Sequence, residues 1–312
     1  MSSVKPRRRI PIVGSLGRTA RLTWLEVVKL FGHKLFPFIL LVTIVLTVVL
    51  GLVGKHFSQG GASVKFSNYS LWVVSATYAL RIAMILLVAL GAMALSSEAT
   101  SRTLNTLLAR PIRRVELAAA KALSLSIATL AVVCVAALAG YVVGGTVADR
   151  GTSGHVINVD GETEWQEAPW WQPSYGDVLD PLYPDTVISP MSEVMGTIIG
   201  GFALLAIPAL AAVFVGLVIG ALVDSAGLAV GLSVGVSVTL VLGEFFPGFV
   251  EYCGRYAYTY PVPKLATLML NAGKGTLPVW DDVMGGIGVS CIYIAAGVLV
   301  SLVVFCRRDV TL

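Results

Sequence analysis

Few residues in this sequence are of a type that can carry chemistry, and their spacing limits what they can do. Histidine occurs at His33, His56 and His155, all outside the long apolar runs, so no imidazole pair stands at metal-ligating spacing. Cys134, Cys253, Cys291 and Cys306 form no C-x-x-C pair and suggest neither a disulfide framework nor a zinc site. Lone serines in apolar runs, such as Ser126 and Ser233, have no base at hand and suit helix packing. The nearest approach to a phosphate-binding loop is "NAGKGTL" at Asn271–Leu277, where Gly275 directly follows Lys274. A P-loop needs G-x-x-x-x-G-K-[ST] between a strand and a helix, so this string reads as a turn. The chain therefore reads as no enzyme, with no catalytic residue, metal set or cofactor site of its own.

What remains is a polar interruption, "SSEATSRTLNTLLARPIRRVELAAAKAL" from Ser96 to Leu123, lying between two long apolar runs. Glu98 to Arg110 can form a short helix in which Leu104, Leu107 and Leu108 share one face at i, i+3, i+4. Pro111 ends it, because proline disfavours helix in the residue before it and lacks the N–H of the last turn. A second helix then starts, with Glu116 near its positive N-terminal end. Two readings fit: a lipid-facing turn with snorkelling arginines, or a knob presented to a cytoplasmic partner. Arg81 is the one charge clearly inside an apolar run. It either snorkels toward the outer surface or lines a cavity that meets an anionic headgroup.

The elements that position these residues follow from hydropathy. Of 312 residues 56% are hydrophobic and only 13% charged, against about a quarter charged in soluble domains, which defines an integral membrane protein. A helix needs roughly 20 apolar residues to cross a bilayer core. Six runs qualify: 35–54, 71–95, 115–147, 191–223, 226–243 and 284–305. With six spans, fifteen of the 22 Lys and Arg fall on one side, before the first span, in the Ser96–Leu123 loop and after the sixth span. The positive-inside rule makes that side cytoplasmic, with both termini there in a multi-pass cell-membrane protein. The fold class is thus all-α with six transmembrane helices. Residues 1–34 form a basic tail and an amphipathic interfacial helix with Trp24, Val28, Phe31 and Leu35 on one face. Residues 35–312 form the six-span domain.

Three further segments carry signals. The acidic outer loop 148–189 centres one stretch on Asp160-Gly161, a favoured hairpin turn, and offers a surface to an outer-face partner or stays merely solvated. The segment 244–283 is too polar to cross and too aromatic for a plain loop, so short re-entrant or interfacial helices are expected, with Phe245, Phe246, Tyr252, Tyr256 and Tyr258 at headgroup depth. Gly227, Gly231 and Gly235 stand four apart in the fifth span and form a ridge without side chains. That ridge suits either a second copy or a span of the same chain, such as the fourth with Gly216 and Gly220.

The polar interruption resembles a known family. In permease subunits of ABC-2 type exporters, including those linked to multicopper-enzyme maturation, the loop between the second and third spans runs roughly E-x-x-x-G-T-L-x-x-L-L-x-x-P-x-x-R-x-x-x-x-x-x-K. This chain matches at Glu98, Thr103, Leu104, Leu107, Leu108, Pro111, Arg114 and Lys121, with Arg102 in place of the usual glycine. The terminal "FCRRDV" is similar to the family's common ending. The resemblance implies that the loop is a coupling helix, with Glu98, Arg102, Thr103, Leu104, Leu107, Leu108, Pro111 and Arg114 docking a separate ABC ATPase that binds ATP and Mg. It also implies a homologous elbow helix, a second permease copy and export. Alternatives are ATP-driven signalling to an outer-face partner, or a secondary transporter uncoupled from ATP, which would be expected to show mid-span carboxylates and repeated halves absent here. Nothing suggests a nucleic-acid partner. The transported substrate is not legible.

Overall fold

The computed structural model describes residues 12–59, 68–100, 114–147, 154–155, 166–167, 178–179, 187–223, 225–244, 246–252, 254–272 and 280–307. Its helices are α1 (Ile12–Gly32), α2 (Leu35–Gln59), α3 (Asn68–Thr100), α4 (Arg114–Val147), α5 (Met191–Leu222), α6 (Ala226–Gly243), α7 (Pro247–Tyr252), α8 (Pro261–Leu270) and α9 (Trp280–Arg307), with a 3-10 turn at Gly254–Tyr256. Six of them, α2, α3, α4, α5, α6 and α9, are long and apolar enough to cross a membrane, at nearly the boundaries the apolar runs predict. The chain is a nearly all-helical, six-span membrane protein.

α3 and α5 form the centre. Their most apolar windows are 67% and 61% buried within the chain, against 22–39% for the other four spans, whose outer faces are left for lipid. The contact between them is backbone on backbone. A Cβ at Gly216 would overlap the Val88 carbonyl, one at Gly220 the Ala92 carbonyl, and one at Gly91 the Val213 carbonyl. In a bilayer, apolar burial gives helices no preference for each other over lipid, so such close approach and its dispersion contacts supply the association. Gly216 and Gly220 therefore pack on the second span. The alternative reading that paired them with the fifth is not what the structure shows.

α2 buries a narrow stripe, Phe36, Ile39, Thr43, Thr47 and Gly51, spaced three and four apart. The two buried hydroxyls donate to carbonyls one turn back, Thr43 Oγ1 to Ile39 O and Thr47 Oγ1 to Thr43 O, both at 2.8 Å, so neither is left unsatisfied. α4 is held to α3 by Trp72, whose indole Nε1 donates to Ala137 O at 2.8 Å. Gly140 and Gly144 make room for that residue, and its ring stacks on Phe202 of α5.

α1 differs in one detail from its predicted extent. It ends at Gly32, and Leu35 opens α2 after a break at His33–Lys34, where Leu35 N donates to His33 Nδ1 at 3.3 Å. That side chain answers an N–H that the start of α2 would otherwise leave orphaned. Trp24, Val28 and Phe31 face outward, while Thr23 and Val27 are buried.

Between α6 and α9, α8 buries Pro261, Val262, Leu265, Leu268 and Met269 against the bundle, and Met269 occupies the space above Gly201 of α5. Phe246, Tyr252 and Tyr256 are exposed, but Tyr258 is 1% exposed, a correction to its expected place at headgroup depth; Phe245 lies outside the described residues. The reason is polar. Tyr258 donates to Ser237 Oγ of α6 at 3.1 Å, and its carbonyl accepts from Ser290 Oγ of α9 at 3.4 Å. Burial pushes the phenol up to about 12, so it stays a donor.

In the loop before α5, Gly154–His155 (β1), Gln166–Glu167 (β2), Val178–Leu179 (β3) and Val187–Ser189 (β4) pair as an antiparallel meander. His155 pairs with Gln166 and Gly154 with Glu167, a register whose midpoint falls between Asp160 and Gly161. The turn itself lies outside the described residues.

The α3–α5 contact makes a prediction. Gly216→Leu or Gly220→Leu should destabilise the protein by about 1–3 kcal/mol or more through overpacking against an immovable backbone. Gly200→Leu, on the same helix but facing open space, should change little. Thermal unfolding in detergent compares them; equal melting points would mean that the two helices do not depend on this contact.

Candidate coupling interface and buried charge pairs

The loop that carries the family motif is bracketed rather than drawn by the structure. α3 continues through Glu98 to Thr100, and α4 begins at Arg114. Arg102, Thr103, Leu104, Leu107, Leu108 and Pro111 lie outside the described residues, as does most of the helix expected at 98–110. What the structure does show is the platform from which this loop leaves.

That platform is tied by Lys121. The residue is 3% exposed, in the second turn of a long apolar helix, where an unpaired ammonium would be costly. Its Nζ donates to Glu26 Oε2 of α1 at 3.1 Å and approaches Ala94 O of α3 at 3.5 Å. One side chain thus joins the elbow helix, the end of the second span and the start of the third. Sequence reasoning placed Lys121 in the motif without a role and missed Glu26 as its partner. A signal existed: Glu26 is the sole acidic residue among the first 34. A crevice opens beside the pair, between α1, α3 and α4.

Arg81 has a partner as well. Its Nη2 donates to Glu244 Oε2 at 2.6 Å, with both side chains 14% exposed, and its guanidinium lies 5.7 Å from the Tyr78 ring centre. The pair links α3 to the residue that caps α6. The charge of Arg81 is thus neutralised inside the protein by a partner that neither expectation named. Glu244 Oε1 is buried with no hydrogen-bond partner among the described residues, so the carboxylate leans on Arg81 alone.

Among the described residues, no atom lies within 4 Å of a Cβ added at Gly227, Gly231 or Gly235. α6 buries its Ala229, Ser233 and Ser237 face instead and leaves Leu228 and Leu232 exposed beside the glycines. Within the chain, then, the ridge packs on no other described element.

Arg81→Met should cost about 3 kcal/mol, because Glu244 would remain as an unpaired carboxylate, whereas Arg81→Met with Glu244→Leu should recover most of the loss. Melting points of the two variants in detergent test this. A single variant as stable as the parent would show that the pair holds nothing together.

Residues 22–158 match the family model described as ABC-2 family transporter protein. The matched stretch takes in most of α1, the spans α2, α3 and α4, and the motif loop between α3 and α4. No curated protein matches the chain. Over that stretch, which is less than half of the chain, the sequence is similar to ABC-2 family transporter proteins, and the six apolar helices make it a multi-pass membrane protein.

Proposed function

We propose that this chain is the membrane permease of an ATP-driven exporter in the cell membrane, with both termini cytoplasmic and a separate ATPase subunit docked on the loop between α3 and α4. The observation that carries the reading is the family match across that loop, together with the Lys121–Glu26 tie at its base. In this reading Leu104, Leu107 and Leu108 enter a groove on the ATPase, flanked by Glu98, Arg102, Thr103, Pro111 and Arg114. ATP and Mg are bound by that partner. Closure of two ATPase subunits would push the loops, and the push would pass into α3 and α4 at once because Lys121 fastens both to α1.

Force transmission of this kind needs a stiff lever, and α3 supplies one, being gripped along its length by α2, α4, α5 and α6. A displacement of its end at Thr100 would be carried along the bundle to Arg81 and from there to Glu244 at the far end of α6. The cycle would switch the pathway between inward and outward access with no covalent step in this chain.

Leu107→Asp or Leu108→Asp should leave the chain inserted but reduce recovery of a P-loop-bearing subunit on mild-detergent purification by at least about tenfold, since a charge in an apolar groove finds no partner. Undiminished co-purification and transport in both variants would remove the loop from the mechanism.

The reading also expects two permease copies. Their contact would use the open α6 face, where glycines allow close approach. A cysteine at Leu228 should crosslink two copies in native membranes, and Gly231→Leu should abolish the crosslink with the chain still inserted. A crosslink that survives Gly231→Leu would place the interface on another span.

A further inference from the structure

The spans are not held with equal firmness, and α6 is held lightly. It lies chiefly against α3, and its most apolar window is only 22% buried. Its buried face within the span is Ala229, Ser233 and Ser237, small side chains that make few dispersion contacts. None of its glycines is seated on a carbonyl as Gly216 and Gly220 of α5 are. The hydroxyls of this face are satisfied inside the helix: Ser233 Oγ donates to Val230 O at 2.8 Å and Ser237 Oγ to Ser233 O at 2.9 Å. Moving the face away from α3 therefore orphans no donor of α6.

Two polar ties hold it, both in the half of α6 that ends at Glu244. Glu244 Oε2 accepts from Arg81 at 2.6 Å, and Ser237 Oγ accepts from Tyr258 at 3.1 Å. Arg81 belongs to the central α3, and Tyr258 is fixed to α9 through Ser290, so both anchors stay with the bundle. The ion pair is made through one carboxylate oxygen, a contact released more readily than the bidentate form open to an arginine and a carboxylate. Both side chains are already 14% exposed, so release completes their hydration and offsets part of the lost attraction.

The opposite end of α6 is built to turn. Val223 (φ −110°, ψ 125°) and Ser225 (φ −91°, ψ 121°) are extended, and Ser225 makes no side-chain cap bond to α6. A change of direction at these helix ends breaks no side-chain cap, and such residues absorb the rotation of a hinge.

We propose that α6 is a hinged gate, pivoting about Val223 and Ser225, with Arg81–Glu244 and Tyr258–Ser237 as the latch that holds its far end shut against α3. Opening parts both ties and lets water reach Ser233. What the gate serves rests on the permease reading, in which it opens the outer end of the pathway. The motion itself needs no ATPase.

The test uses the full chain with its four cysteines replaced by alanine, reconstituted in liposomes without an ATPase. A single cysteine is placed at Ser233 or, as a control, at Thr129 of α4, both fully buried. The rate of modification by a water-soluble methanethiosulfonate follows the open population when closing is fast. Glu244→Gln should raise the rate at position 233 by about tenfold or more, the scale of a charged hydrogen bond, and Tyr258→Phe by about threefold, the scale of a neutral one. Position 129 should stay protected in both. A rate at 233 that is unchanged in either variant overturns the proposal. So does an equal rise at 129, which would make the ties general supports of the fold. If Glu244→Gln is not recovered folded, Tyr258→Phe decides alone by the same two criteria. With no ATPase present, these outcomes are independent of whether Leu107→Asp loses a P-loop subunit, which tests the permease reading separately.

Discussion

Everything in this bundle hangs on one close contact, the passage of α5 across α3 with no side chain between their backbones at Gly91, Gly216 and Gly220. Lipid competes with every apolar side chain for a helix surface, so a membrane bundle needs contacts that lipid cannot imitate, and a carbonyl seated over a glycine is one. Around this axis the remaining spans need only one buried face each. α2 offers Phe36, Ile39 and Thr43, and α6 offers Ala229, Ser233 and Ser237 while leaving Leu228 and Leu232 outward.

The charged residues obey the same logic from the other side. A cation within a span is tolerated where its counter-ion comes from a different element, because the pair then closes its own field. Lys121 with Glu26 does this at the end where the motif loop leaves, and Arg81 with Glu244 in the half toward the opposite end. Each pair joins α3 or α4 to an element that does not itself belong to the α3–α5 axis. Polar residues without charge serve as shorter ties, with Trp72 linking α3 to α4 and Tyr258 linking α6 and α9.

Much of this layout is legible in the sequence because hydropathy acts within single segments: each span is a continuous apolar run, and its ends are set by where polar residues begin. Partners are a different matter. Glu244 stands 163 residues from Arg81 and Glu26 stands 95 from Lys121, and nothing local to either residue names the other. The glycines show the same limit. Spacing of four marks a face able to approach another helix, yet it marks Gly227, Gly231 and Gly235 as readily as Gly216 and Gly220, and among the described residues only the second set has a neighbour. Tyr258 misled because aromatic residues near span ends usually sit at the interface, whereas its hydroxyl is claimed by Ser237. The motif residues from Arg102 to Pro111 owe their interest to the family resemblance.

The unequal lengths of α5 and α6 impose a condition on the surrounding lipid. The helices have 32 and 18 residues, so α6 is shorter by about 20 Å and, at roughly 27 Å, falls just under the thickness of a typical hydrocarbon core. They are joined by the three residues 223–225, which keeps their adjacent ends level and collects the whole mismatch at the other end. There α8 fills in beside α5, with protein in place of acyl chain. Wherever lipid rather than a second copy meets the outward flank of α6, which no other described element covers, the bilayer must thin toward the helix, and a thicker membrane would press harder there.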